Sequence, residues 1–276
     1  MADHIIAVND GGLLLLGCGK MGSAMLRGWF DAGVRADAVT IIDPYPSDWL
    51  LSLEADGLSL NPDEPGRPKV CVLAVKPQMM GDAAPRIAAF GDGGTMFVSV
   101  AAGTTIATLE RLLSGRAPIV RAMPNTPAAV GRGITALIGN GVSSGADLDL
   151  SENLLQAVGK TVRLQSEDQM DAVTAVSGSG PAYVFHLIEV LAAAGEAEGL
   201  DPDLALSLAR ATVGGAGHLA EHVDDHPAQL RVNVTSPGGT TAAALDVLMD
   251  DETGFPALVR KAVTRAAARS RELGAE

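Results

Sequence analysis

The feature that most constrains this chain is an alternation that runs as far as about Gln165 and then stops. Strand-length apolar runs occur at Leu13–Leu16, Val39–Ile42, Val70–Val75, Met96–Val100, Ile119–Ala122, Ile134–Ile138 and Thr161–Leu164. Helical stretches lie between several of them, at Met21–Ala32, Gly81–Phe90 and Ile106–Leu113. Strand, helix, strand at this pace predicts a mostly parallel sheet wrapped by helices, an α/β domain over residues 1–165. Beyond it, Glu167–Ser177, Ala182–Gly199, Pro202–Val223, Thr240–Leu248 and Pro256–Leu273 read as helices, with Pro202 and Pro256 where a first turn tolerates proline. Residues 166–276 are therefore expected to be all-helical.

Several of those later helices are rich in Ala and Leu. Ala182–Gly199 and Pro202–Ala220 are apolar around most of their circumference, and one small domain cannot cover them. A partner subunit is expected, as an obligate homodimer through the C-terminal helices. With 276 residues, 47% of them hydrophobic, the chain has material for two domains and a large core. No apolar run reaches the length of a membrane span, and "MADHIIAVNDGG" carries no leader pattern, so the expected location is cytoplasmic. A formal charge of −13 without a basic cluster disfavours nucleic acid and anionic membranes as partners. Cys18 and Cys71, widely separated, make neither a disulfide framework nor a metal site. His218, His222 and His226 recur at helical spacing without other ligand residues, which reads as an exposed helical face rather than a metal centre.

"LLLLGCGKMGSAM" sets Gly17, Gly19 and Gly22 in GxGxxG spacing directly after a strand and at the opening of a helix. In that context the first glycine permits the tight turn, the second lets a pyrophosphate approach the backbone, and the third lets helix pack on strand. Cys18, Lys20 and Met21 would share that dinucleotide site. "TIIDPYP" ends the second strand on Asp43, placed to accept from the adenosine 2′-hydroxyl and to repel a 2′-phosphate, unless it is a plain turn aspartate. "LAVKPQ", with Ala74, Val75, Lys76 and Pro77, and "VSVAAG", with Ala101, end later strands and should face the nicotinamide. Lys76 alone would be a solvated cation. Asn125, in "RAMPNTP", suits either a carboxamide or substrate contact or a local turn.

A second glycine turn stands far along the chain, in "NVTSPGGTTAAAL" from Asn233 to Leu245. Its hydroxyls can cap the following helix. Alternatively, the same N–H groups and the helix dipole can hold a carboxylate or phosphate.

"GCGKMGSAM", "LAVKPQ", "VSVAAG", "RAMPNTPAAVGRGITAL", "VSGSGPAYVF" and "VTSPGGTTAAAL" occur in the order found in pyrroline-5-carboxylate reductases. The resemblance runs from about Leu13 to the C-terminal helix, and the last two motifs are its most specific parts. It implies an N-terminal Rossmann-like doubly wound sheet with a C-terminal all-helical dimerisation domain, sometimes assembled into rings of dimers. The activity it implies is reduction of 1-pyrroline-5-carboxylate to L-proline with NAD(P)H. Substrate carboxylate would be held at Ser236, Gly238 and Gly239, the ring nitrogen would bond Thr241, and Thr174 would lie beside the pocket. The acids Asp43 and Asp48, with no base between them, depart from members suited to NADPH, so NADH is expected to serve at least as well.

An imine is basic enough to take its proton from solvent, so no strong general acid is needed, which suits a site lined with Ser and Thr. A β-hydroxyacid-type dehydrogenase would use a lysine on a helix beyond the Rossmann-like domain, and Gln165–Arg260 contains none. A catalytically inactive dinucleotide-binding regulator would not need the hydroxyls and glycines of the second turn.

Overall fold

Four consecutive leucines, Leu13–Leu16, form strand β1, and all are buried. Leu13 and Leu15 join one apolar cluster while Leu14 and Leu16 join another. Successive strand residues point to opposite faces, so a strand buried on both belongs inside a covered sheet. The computed structural model, which describes residues 2–113 and 115–275, places β1 there. It pairs in parallel with β2 (Val39–Ile42) on one side and with a strand at Val70–Leu73 on the other.

That strand is β4, since β3 (Ser59–Leu60) precedes it beside β2. Beyond β4 come β5 (Met96–Ser99), β6 (Ile119–Met123), β7 (Gly133–Gly139) and β8 (Gly159–Arg163), giving an eight-stranded sheet in the order β3-β2-β1-β4-β5-β6-β7-β8. Every pairing is parallel except β6 with β7. The chain leaves β1 toward β2 and crosses back to β4, so loops diverge at the carboxyl ends of β1 and β4. Open α/β sheets bind ligands at such a switch point. The Rossmann-like, doubly wound expectation holds.

The helix Lys20–Asp31 buries Met25, Leu26 and Trp29 against one sheet face, and the Trp29 indole N–H donates to the Leu154 carbonyl at 2.9 Å. Some elements differ from the sequence reading. Gly81–Phe90 is a short helix, Met80–Ala83, followed by 3₁₀ turns at Ala84–Arg86 and Ala88–Phe90. Pro85 explains the break, because its ring clashes with the carbonyl four residues back. Helices at Ala2–Gly11, Gly145–Gln156 and Pro227–Asn233 were not anticipated. The first buries Ile5 and Val8, and Asn9 ties it down by donating to the Gly33 carbonyl at 3.1 Å and accepting from the Arg35 N–H at 2.8 Å.

By its contacts the chain divides into one unit running to Gly178 and resuming at Ala267, and another over Ser179–Ala266. The sequence reading drew its line after Gln165. Residues between the two lines bond to the sheet side: Glu167 accepts from Ile106 N–H at 2.9 Å, and Ser177 carbonyl accepts from Asn125 at 3.1 Å. Ser270, near the chain's end, donates to Asp171 at 2.6 Å within the same unit.

The second unit contains the helices Gly180–Ala197, Pro202–His222 and Thr240–Leu248. Among its described residues the buried apolar side chains are alanines only, Ala192, Ala205 and Ala209, whereas Phe185, Leu204, Leu208 and Leu219 are all about half exposed. His226 does not continue the histidine face. The helix ends at His222, and His226 caps the next one by accepting from Ala228 N–H at 3.2 Å. Pro227 is the reason, since the residue before proline is driven out of the helical region.

Candidate active site

The glycine turn after β1 is packed tightly at two of its three glycines. Gly17 has φ +89°, and a Cβ there would lie 2.8 Å from Val75 Cγ1. A Cβ on Gly22 would fall 2.5 Å from the Gly17 carbonyl oxygen, so helix Lys20–Asp31 sits directly on the turn. At Gly19 a Cβ would meet no protein atom within 4 Å. That side of the turn is open to a ligand. Gly19 is also the N-cap of the helix and supplies no side-chain cap, so the dipole and first N–H groups, including those of Lys20 and Met21, are available to a pyrophosphate. Cys18 is buried, and desolvation pushes its thiol up, partly opposed by a hydrogen bond with Ser23.

Asp43 stands at the carboxyl end of β2, beside this turn. Its Oδ2 accepts from the Cys18 N–H at 2.6 Å and its Oδ1 from the Tyr45 N–H at 2.8 Å. Asn61 holds the same residue by its backbone: Asn61 Oδ1 accepts from the Asp43 N–H at 2.9 Å and Asn61 Nδ2 donates to the Asp43 carbonyl at 2.7 Å. No local pattern marked Asn61, because its partner is a strand away.

Strand β4 ends at Leu73, so Ala74, Val75, Lys76 and Pro77 form the loop that packs under Gly17, with Lys76 exposed. Ala101, buried after β5, donates its N–H to Ser99 Oγ at 3.4 Å. Asn125 follows β6 and is committed locally: Oδ1 accepts from Ile134 N–H at 2.9 Å, and Nδ2 donates to Ser177 carbonyl. Thr174 opens a π-helical turn, Thr174–Gly178, and its hydroxyl donates to the Met170 carbonyl at 2.8 Å. Single π turns recur at functional sites. Sequence reasoning also passed over Arg121, a buried guanidinium paired at 2.5 Å with Glu167.

In the helical unit, Ser236 carbonyl accepts from Gly239 N–H at 3.0 Å, with Pro237 and Gly238 (φ +73°) between them. Proline then glycine at positive φ is the residue choice of a type II turn. The turn delivers the chain into helix Thr240–Leu248, whose N-cap Gly239 makes no side-chain cap bond. Its first internal bond runs from Ala243 N–H to Gly239 carbonyl at 3.2 Å. Neither Ser236 nor Thr241 turns its hydroxyl onto these N–H groups among the described residues, so the capping reading of this stretch loses its bond. What stands there is an uncapped helix start beside free hydroxyls, an arrangement that accepts an anion. Among the described residues no group of His, Cys, Asp and Glu is placed to hold a metal, and no helix is long and apolar enough to cross a membrane.

Comparison with known proteins bears on the family and fold of the chain. Residues 167–273 match the family model for pyrroline-5-carboxylate reductase dimerisation, and residues 13–103 that for NADP oxidoreductase, coenzyme F420-dependent. Pyrroline-5-carboxylate reductase of Pseudomonas aeruginosa is 38% identical over 95% of this chain and 96% of its own length. That of Synechocystis is 42% identical over 75% of each. The solved pyrroline-5-carboxylate reductase from Coxiella burnetii superposes with a TM-score of 0.87 at 33% identity, covering 95% of this chain and 98% of that one. The Plasmodium falciparum pyrroline carboxylate reductase, solved with NADP bound, gives 0.82 at 30% identity over 95% and 98%. With identity sustained along nearly its whole length and a matching fold, this chain belongs to the pyrroline-5-carboxylate reductase family.

Proposed function

We propose that this oxidoreductase reduces 1-pyrroline-5-carboxylate to L-proline by hydride transfer from NAD(P)H. The observation that carries the reading is the uncapped helix start at Gly239, with the Thr241 hydroxyl free beside it. Gly17–Gly22 and Asp43 fit a dinucleotide, because Gly19 leaves room for its pyrophosphate and no side chain competes for the helix N–H groups. When bound, a reduced nicotinamide supplies the hydride. In the reaction the imine carbon gains a C–H bond, the C=N π pair moves to nitrogen, and nitrogen takes a proton.

Backbone N–H groups from Gly238 and Gly239 onward, with the Ser236 hydroxyl, hold the substrate carboxylate. Thr241 accepts from, or donates to, the ring nitrogen as its protonation state requires, and Thr174 is a further candidate for substrate contact on the family resemblance. Ala74, Val75, Lys76, Pro77 and Ala101 support the nicotinamide half. Asn125 fixes the loop after β6 through Ile134 and Ser177 rather than spending its amide on substrate. Most of the rate comes from positioning two reactants, since the imine is already electrophilic.

We infer that NADH serves at least as well as NADPH. The buried Asp43 carboxylate stands where a ribose 2′-hydroxyl can donate to it, and a 2′-phosphate there would set like charges together. The enzyme is read as cytoplasmic and as an obligate homodimer through the helical unit, because a unit whose buried apolar side chains are three alanines, Ala192, Ala205 and Ala209, lacks a core of its own. Rings of dimers are an extension of the same assembly.

The test is NAD(P)H oxidation with 1-pyrroline-5-carboxylate, run beside NAD(P)+ reduction with a 3-hydroxy acid. Turnover with the imine alone supports the reading; turnover with the hydroxy acid alone, or with neither, ends it. A tenfold preference in kcat/KM for NADPH would refute the cofactor inference, and a stable, active monomer in sedimentation would refute the dimer.

A further inference from the structure

We infer that Asn61 is a positioning residue for cofactor choice: its side-chain amide clamps the backbone of Asp43 and so fixes the carboxylate that meets the adenosine ribose. The inference rests on the reading of Asp43 given above. Strand β3 is only Ser59–Leu60, and its ladder with β2 ends where Asn61 N–H donates to the Ile41 carbonyl at 2.8 Å. There the backbone turns away, with Asn61 at φ +48°, the one non-glycine residue at positive φ among those described. The side chain then continues the ladder that the main chain abandons. Its carboxamide accepts from the Asp43 N–H at 2.9 Å and donates to the Asp43 carbonyl at 2.7 Å, as a neighbouring peptide group would.

Asparagine suits both demands at once. It tolerates the left-handed region better than other side chains, and its amide carries a donor and an acceptor a short reach from the backbone. Glycine meets the first demand alone, and glutamine the second.

With this clamp every polar group of Asp43 is engaged: N–H and carbonyl by Asn61, Oδ2 by Cys18 N–H and Oδ1 by Tyr45 N–H. A carboxylate discriminates hydroxyl from phosphate only if it cannot swing aside, because movement relieves like-charge repulsion more readily than it improves one hydrogen bond. Releasing the backbone should therefore help NADPH more than it harms NADH.

The experiment measures kcat/KM for NADH and NADPH, with melting temperature, in the wild-type enzyme, Asn61→Gly, Asp43→Ser and the double variant. Asn61→Gly keeps the backbone conformation and removes only the amide. We expect it to lower the NADH-to-NADPH ratio threefold or more, in the same direction as Asp43→Ser, with the KM for the imine unchanged at saturating cofactor. In the double variant the loss of Asn61 should change the ratio no further, since it acts through Asp43. A lower melting temperature with an unchanged ratio in Asn61→Gly, while Asp43→Ser shifts it, means the clamp is structural only and overturns the inference. If Asp43→Ser leaves the ratio unchanged, the reading of Asp43 falls and this inference falls with it. Should Asn61→Gly not fold, Asn61→Ser gives the same decision, because it is uncharged and its short hydroxyl cannot bridge both the N–H and the carbonyl of Asp43.

Discussion

Replacing Thr241 with alanine separates catalysis from stability, because the structure gives its hydroxyl no structural bond to lose. Had it capped the helix Thr240–Leu248, removing it would cost about 1 kcal/mol, or a melting temperature about 2–4 °C lower in a chain of this size. The N-cap is Gly239, and it makes no side-chain cap bond. Alanine is also the better helix former by up to ~0.7 kcal/mol. The expected melting temperature of Thr241→Ala is therefore unchanged or slightly higher. Turnover should move the other way. A hydrogen bond to a ring nitrogen gaining charge contributes roughly 1.5–3 kcal/mol, which corresponds to a loss of about tenfold to a hundredfold in rate. If the bond matters more in the transition state than in the ground state, kcat and kcat/KM fall together. Steady-state assays at saturating NADH and thermal melts on Thr241→Ala, Thr241→Val and Thr241→Ser check this. Serine keeps the hydroxyl and should keep most of the activity, whereas valine keeps the shape and should lose it. Normal turnover in the alanine and valine variants would remove Thr241 from the site, and a lower melting temperature with normal turnover would restore the capping reading.

The glycine turn and the buried ion pair give two further tests. Gly19→Ala should fold with an unchanged melting temperature, since no protein atom lies within 4 Å of the new methyl, yet bind NADH at least tenfold more weakly by fluorescence titration. Gly22→Ala should lose both binding and stability, by about 1–3 kcal/mol of overpacking in urea melts, because its methyl would meet the Gly17 carbonyl oxygen at 2.5 Å. Identical behaviour of the two variants would refute the division of labour in the turn. Glu167→Ala should destabilise by roughly 2–3 kcal/mol, below the ~3–5 kcal/mol of a fully buried pair. It strands the buried Arg121 and the Ile106 N–H, but the Glu167 side chain keeps 31% of its exposure. An unchanged urea midpoint would show that Arg121 finds water instead.

Local patterns made much of this legible. The run Leu13–Leu16 needed burial on both faces, and the glycines after it needed a turn, so β1, the open Gly19 and the helix Lys20–Asp31 were readable in order. Asp43 was readable as the end of β2, and Ser236–Thr241 as a turn feeding a helix. Periodicity could not show that β7 runs antiparallel to β6, since both directions share one alternation of side chains. Nor did it reveal the helix Ala2–Gly11, whose Ile5 and Val8 gain their meaning only from the surface they cover.

The sequence by itself determined the alternation that makes a wound parallel sheet, the place of the glycine turn after β1 and the residue types of the uncapped helix start at Gly239, because each depends on neighbours a few positions apart. Tertiary structure alone decided which hydroxyls cap and which stand free, and whether Asn125 serves its loop through Ser177 and Ile134. It alone brought Asn61 to Asp43 and Glu167 to Arg121. Those partners are distant in the chain, and a hydrogen bond between distant residues exists only once the sheet's strand order and register have set both groups within reach.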